Sequence, residues 1–209
     1  MLNLVASTRL TGGRLSLNGN DLAEGQGEDA EMLRALYTAV GLDYPKFHKM
    51  DMYARLALLA SEPLYRMLRA DGADIANAIG LITLNRSGSA ATDVEHWEPV
   101  RRGETASPAV FVYTLPNTGA GEITIRNGAF GPSICLVSER PDCDLLLTIA
   151  DDMITTQGMT HVIVGWSDIF GAPFWSGPPT LPFAGFALIG HVAGTPLTPT
   201  GLQAILTQH

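Results

Sequence analysis

With 209 residues, 46% of them hydrophobic and only 16% charged, the chain can bury one sizeable core but has little polar surface to cover it. A formal net charge of −8, with no basic run longer than Arg101–Arg102, excludes the cationic stripe that a nucleic-acid binder needs to displace counterions. No basic n-region precedes an apolar stretch and no apolar run reaches about 20 residues, so a soluble, cytoplasmic protein without a membrane span is expected.

The acidic segment 19–30 (GNDLAEGQGEDA) reads as a mobile surface loop. Beyond it Met32, Leu33, Leu36, Tyr37 and Val40 recur at helical spacing, predicting a helix over 30–40 that Gly41 ends. Asp51 is placed to cap a second helix, from Met52 to about Ala70, with Tyr53, Leu56, Leu59, Leu64, Met67 and Leu68 on its apolar side. Pro63 should kink or interrupt that helix, because its ring removes an N–H donor and crowds the preceding turn. Ile79–Asn85 is short, β-branched and mostly apolar, as suits a strand buried on both faces.

A strand is predicted at Ser133–Ser138, after which Pro141 and Asp142 open a helix. Its buried stripe is Leu146, Leu147, Ala150, Met153 and Ile154, and Gly158 stops it. His161–Gly165 is the next strand, residues 171–184 form a Gly/Pro-rich loop, and Gly185–Val192 is a last strand. Strands separated by helical stretches imply a layered α/β sheet.

Two cysteines, Cys135 and Cys143, do not make a disulfide framework. His48, His96, His161, His191 and His209 are scattered, with no paired metal spacing, so neither a metal nor a cofactor is expected. Trp97, Trp166 and Trp175 read as core or loop anchors. Ser138 has no G-x-S-x-G elbow around it and reads as structural.

Three stretches together resemble the N-terminal domain of β-ketoacyl synthases, thiolase-fold condensing enzymes: KMDMYARLALLASEPL (49–64), PNTGAGEITIRNGAFGPS (116–133) and MTHVIVGWSD (159–168). The second is the specific one, carrying the family's pattern at Asn117, Gly121, Arg126, Gly131, Pro132 and Ser133. The resemblance implies a thiolase-like half-fold, a mixed sheet flanked by helices. Residues 46–209 form the ketosynthase-like domain on this reading, and 1–45 are a poorly matched segment of the same domain. The family residues carried over are expected to shape the chain near an acyl channel and dimer interface.

In the family, Gly-Pro-Ser leads into a strand that ends at a nucleophilic cysteine, seven residues after the Ser, at the tip of a buried helix. Counting from Ser133 places Arg140 there, and the 25 residues from Arg140 to Gly165 match the family spacing on the other flank. An always-protonated guanidinium cannot attack a thioester. The rival thiol is Cys143, but it shares a helical face with Leu146, Leu147 and Ala150 and reads as packing. Cys135 lies within the strand and reads as core.

The family's catalytic histidines sit in a C-terminal half-fold that this chain is expected to lack, so it should not be active alone. A half-fold standing by itself would leave an apolar helix layer wet. At roughly 25 cal/mol per Å², several hundred Å² amount to about 10 kcal/mol. A ketosynthase-type subunit or a second copy is therefore expected as partner, with strand 133–138 at the interface. Arg101 and Arg102 offer a contact to an acyl carrier protein or, more plainly, form a solvated pair. Three readings follow: a non-catalytic, chain-length-factor-like subunit of polyketide or fatty-acid-type biosynthesis; an active acyl-condensing or acyl-transfer enzyme using Cys143 with a partner; or a vestigial binding module.

Overall fold

The computed structural model describes residues 1–169 and 182–207. Three antiparallel strands open the chain: β1 (Asn3–Thr11), β2 (Arg14–Leu17) and β3 (Asn20–Glu24). β1 turns Ala6, Thr8 and Leu10 inward at every second position, the period of a pleated strand. β3 takes up residues 20–24 of the surface loop expected over 19–30, and only 19 and 25–28 remain outside strand and helix. The strand's residues are almost all exposed, Leu22 included, and backbone pairing to β2 holds them without any apolar alternation.

Helix α1 (Asp29–Ala39) follows, with Gly41 beyond its end at φ 59°, where a left-handed residue is needed. A short 3-10 turn at Pro45–Lys49 leads to α2 (Met52–Ala70). Asp51 caps α2 as expected, its carboxylate accepting from the Ala54 N–H at 2.8 Å. The helix runs unbroken through Pro63. It is buried on nearly every side between the sheet, α1 and the later helix α6 (Thr118–Asn127), and that packing outweighs one missing hydrogen bond.

The short helix α3 (Ile75–Ala78) feeds β4 (Ile79–Asn85), all seven residues of which are buried. Helices α4 (Ala90–Arg101) and α5 (Pro108–Phe111) precede α6. The remaining elements are β5 (Ser133–Val137), α7 (Cys143–Thr155), β6 (His161–Asp168), β7 (Phe183–Gly190), β8 (Thr195–Pro196) and α8 (Pro199–Leu206). The Gly/Pro-rich loop expected at 171–184 lies outside the described residues except for its last three, as does Trp175.

Strand order is β3-β2-β1-β7-β6-β4-β5, with β8 also paired to β1. β5, β4 and β6 run parallel; β7, β1 and β2 alternate against them, giving a mixed sheet. Leu81, Ile163 and Leu188 stand in one row beneath α2, while Ile82, Val164 and Ala187 point to the opposite face under α7 and α8. At Gly165 an added Cβ would lie 2.0 Å from the Phe186 ring, so only glycine fits opposite that phenylalanine. Trp166 is core, as expected. Trp97 is not: it is 58% exposed on α4, a helix that buries only Thr92.

Candidate functional site

The chain beyond β5 is the first place to look for a nucleophile. Ser138 donates its backbone N–H to the Asn85 carbonyl at 3.0 Å and its hydroxyl to the Arg140 carbonyl at 2.9 Å, fixing a turn. Arg140 is exposed in that turn and Pro141 is buried. Neither Pro141 nor Asp142 is inside the helix: Asp142 is its extended N-cap, accepting from the Leu145 N–H at 3.1 Å, and α7 begins at Cys143.

A thiol in the first turn of a helix gains from free N–H groups and the positive end of the macrodipole. Here that advantage is cancelled. Asp142 has taken one of the N–H groups, and Asp142 and Asp144 place two carboxylates beside the sulfur. Cys143 is 7% exposed and packs with Leu146 and Ala150. Burial, then Asp142 and Asp144, push its pKa up to about 11. Cys135 is partly buried on β5 and donates to the Pro116 carbonyl at 3.2 Å; burial raises its pKa too. Burial thus works against thiolate formation at both sulfurs.

The motif residues 116–133 lie on α6 and on the segment that leads into β5. Asn117 precedes α6 without capping it through its side chain, and an added Cβ at Gly121 would meet open space. Gly131 is required: a Cβ there would lie 2.2 Å from the Ile79 carbonyl oxygen, where the chain crosses the start of β4. Pro132 accepts from the Leu81 N–H at 3.0 Å, and Ser133 opens β5. Arg126 reaches Glu62 of α2 at 3.4 Å, alongside Arg66 at 3.1 Å, and clamps α6 onto α2. Arg126→Ala should cost about 2–3 kcal/mol in urea unfolding, because Glu62 stays buried with half its counter-charge gone.

A cavity of about 370 Å³, missed by sequence reasoning, opens at the carboxyl ends of β4 and β6, between the start of α2 and the α4–α5 segment. Asp51 bridges its two sides, since the carboxylate that caps α2 also accepts from the Thr92 hydroxyl of α4 at 2.9 Å. Burial raises the Asp51 pKa. No motif signalled this pairing, because 41 residues separate the partners.

Beside the cavity, Asp168 ends β6 and accepts from the Ser87 hydroxyl at 3.3 Å. Burial lifts its pKa to about 6, against the pull of Arg86. The folded-state pKa lies above the unfolded value, so the folded chain binds the extra proton. That stabilisation is complete below about pH 4 and lost as pH rises through 6, an effect of about 2–3 kcal/mol. Asp168→Asn should therefore raise the thermal midpoint at pH 7.5, and the gap between mutant and wild type should close by pH 4.

The helix layer expected to be wet and apolar is largely polar on its outer side, whereas apolar side chains are exposed around the strand expected at the interface. The outward face of α7 carries Asp144, Thr148, Asp152 and Thr155 and is well solvated; Leu145 is its one large exposed apolar side chain. Phe111, Val112, Leu115, Ile125, Phe130 and Val137 are exposed instead, on the elements that lead into and flank β5. β5 itself is an edge strand, paired only with β4 among the described residues. No group of three or more His, Cys, Asp and Glu is placed to hold a metal, and no helix is long and apolar enough to cross a membrane, among those residues.

No family model matches the sequence, and no curated protein matches it. Solved structures do match by fold. A ketosynthase (ApeO) in complex with its chain length factor (ApeC) from Xenorhabdus doucetiae gives a TM-score of 0.62 at 18% identity, over 92% of this chain and 80% of that one. The ishigamide ketosynthase/chain length factor gives 0.64 at 18% identity, over 91% of this chain and 62% of that one. A β-ketoacyl synthase from Burkholderia phymatum STM815 gives 0.57 at 13% identity, over 90% and 58%. The chain thus spans less than two thirds of the latter two, and its fold is the thiolase-like fold of the ketosynthases.

Proposed function

We propose that the chain is a non-catalytic, chain-length-factor-like subunit of polyketide or fatty-acid-type biosynthesis, acting beside a ketosynthase-type partner. One observation carries this: the only cysteine at the tip of the helix after β5 is buried, flanked by two carboxylates and held as a thiol, while exposed Arg140 occupies the counted nucleophile position. A thiolate is the attacking species in acyl transfer, and this site opposes its formation. The apolar surface around the β5 edge suits a partner that adds a strand or packs beside it. Among the fold neighbours, one is a ketosynthase with its chain length factor and another is a ketosynthase bound to an acyl carrier protein, which favours the same classes of partner here.

Reconstitution with a ketosynthase-type partner and an acyl carrier protein tests this. Cys143→Ala should leave product formation within about twofold of wild type, the effect of a packing residue. A loss of a hundredfold or more would make Cys143 the nucleophile and this chain an enzyme.

A further inference from the structure

A second cavity, of about 480 Å³, lies along the second half of α2, between the β2–β3 hairpin and the end of α1. Leu17, Leu22, Val40, Pro63 and Met67 give it apolar walls. Leu22 is 49% exposed and keeps apolar surface in water there, which an apolar ligand would cover. Size and lining are those of a small-molecule pocket, apolar with a few polar groups.

Among the described residues that line the groove, only Glu62 and Arg66 are charged. Glu62 is closed to a ligand: it is 2% exposed, and its Oε1 already accepts from Arg66 and lies 3.4 Å from Arg126. Arg66 is the reverse. Its side chain is 44% exposed, and only three of its five N–H groups are taken. Nε donates to Glu62, and Nη1 and Nη2 donate once each to the Val40 and Gly41 carbonyls at 2.6 and 3.2 Å. Glu62 and Val40 both line the groove, so the guanidinium that joins them stands in its wall. Those bonds hold it in place, and a ligand meets a fixed donor without first ordering a free side chain. Two guanidinium groups also share one carboxylate, which leaves a unit of positive charge over. A carboxylate meets both the charge and the two remaining N–H groups, an ammonium is repelled, and a neutral hydroxyl gains the weaker bond.

We propose that this groove binds a small amphiphilic monocarboxylate. Its head group accepts from the two remaining Arg66 N–H groups, and an apolar tail of roughly six to eight carbons lies along Leu22, Pro63 and Met67. The test is a titration of the full chain with octanoate at pH 7, followed by backbone amide NMR, with octan-1-ol, octylamine and acetate run in parallel. Octanoate should give saturable shifts confined to the end of α1, the second half of α2 and the β2–β3 hairpin. Octanol carries the tail without the charge and should bind at least ~10-fold more weakly, while octylamine and acetate should not saturate over the same range. Arg66→Gln should remove the preference for octanoate over octanol. Leu22→Asp, at an exposed position of β3, leaves Arg66 untouched and should abolish the octanoate shifts, so the test stands even if the Gln variant fails to fold. The proposal is overturned if octanoate gives no saturable response at millimolar concentration, if octanol binds as tightly, if the preference persists in a folded Arg66→Gln chain, or if the octanoate response survives Leu22→Asp.

Discussion

Iodoacetamide at pH 7 should modify Cys143 in the folded chain at least ~100-fold more slowly than the same residue after denaturation. The rate follows the fraction of sulfur present as thiolate. At a pKa of about 11, roughly one sulfur in ten thousand is ionised at pH 7, against a few per cent for an ordinary cysteine near 8.5. Burial to 7% exposure slows access further. The labelling rate should climb about tenfold per pH unit up to about pH 10, provided the fold holds. Substituting the neighbouring carboxylates separates their share from that of burial. Asp144→Asn should speed labelling modestly, since burial is the larger cause. Rapid labelling at pH 7 with a midpoint below 8 would mean an activated nucleophile.

Introducing charge on the β5 edge should have the next largest effect, on association. Phe130 is 82% exposed and Val137 is also exposed, so Phe130→Asp with Val137→Asp should leave the isolated chain's thermal midpoint unchanged within a degree or two. In an interface, two carboxylates without partners are desolvated together, and a loss of at least ~100-fold in affinity is expected for the ketosynthase-type partner or for self-association. Size-exclusion chromatography with light scattering reads the second, and co-purification with the partner the first. Unchanged association by both would place the interface elsewhere.

Much of the layered architecture was legible in the sequence because two of its three parallel strands, β4 and β6, are buried on both faces and so read as mostly apolar runs. Ile79–Asn85 and the strand from His161 are of this kind, as are the caps at Asp51 and Gly41. What escaped was held by backbone pairing or tertiary packing, neither of which leaves a local side-chain pattern. β3 has no apolar alternation to betray it and exists through backbone pairing to β2. Pro63 sits inside a helix that burial sustains, which no local rule reveals. The helix after β5 was expected from its stripe, but its start depended on whether Asp142 caps or belongs to the first turn. Capping by Asp142 moves the start from Pro141 to Cys143, which leaves Arg140 outside the helix in the preceding turn. The apolar outer face expected of the helix layer is absent from α7, because Thr148, Asp152 and Thr155 make that face wet. The bridge from Asp51 to Thr92 and the cavity it closes left no sequence signal at all.

Acyl loading bears most directly on the absence of a nucleophile. The chain, together with a ketosynthase-type partner, is to be incubated with a carrier-bound acyl thioester and both proteins weighed intact by mass spectrometry. The account requires the acyl mass on the partner alone, with this chain unmodified at any time point. An acyl adduct on this chain that disappears in Cys143→Ala would contradict it.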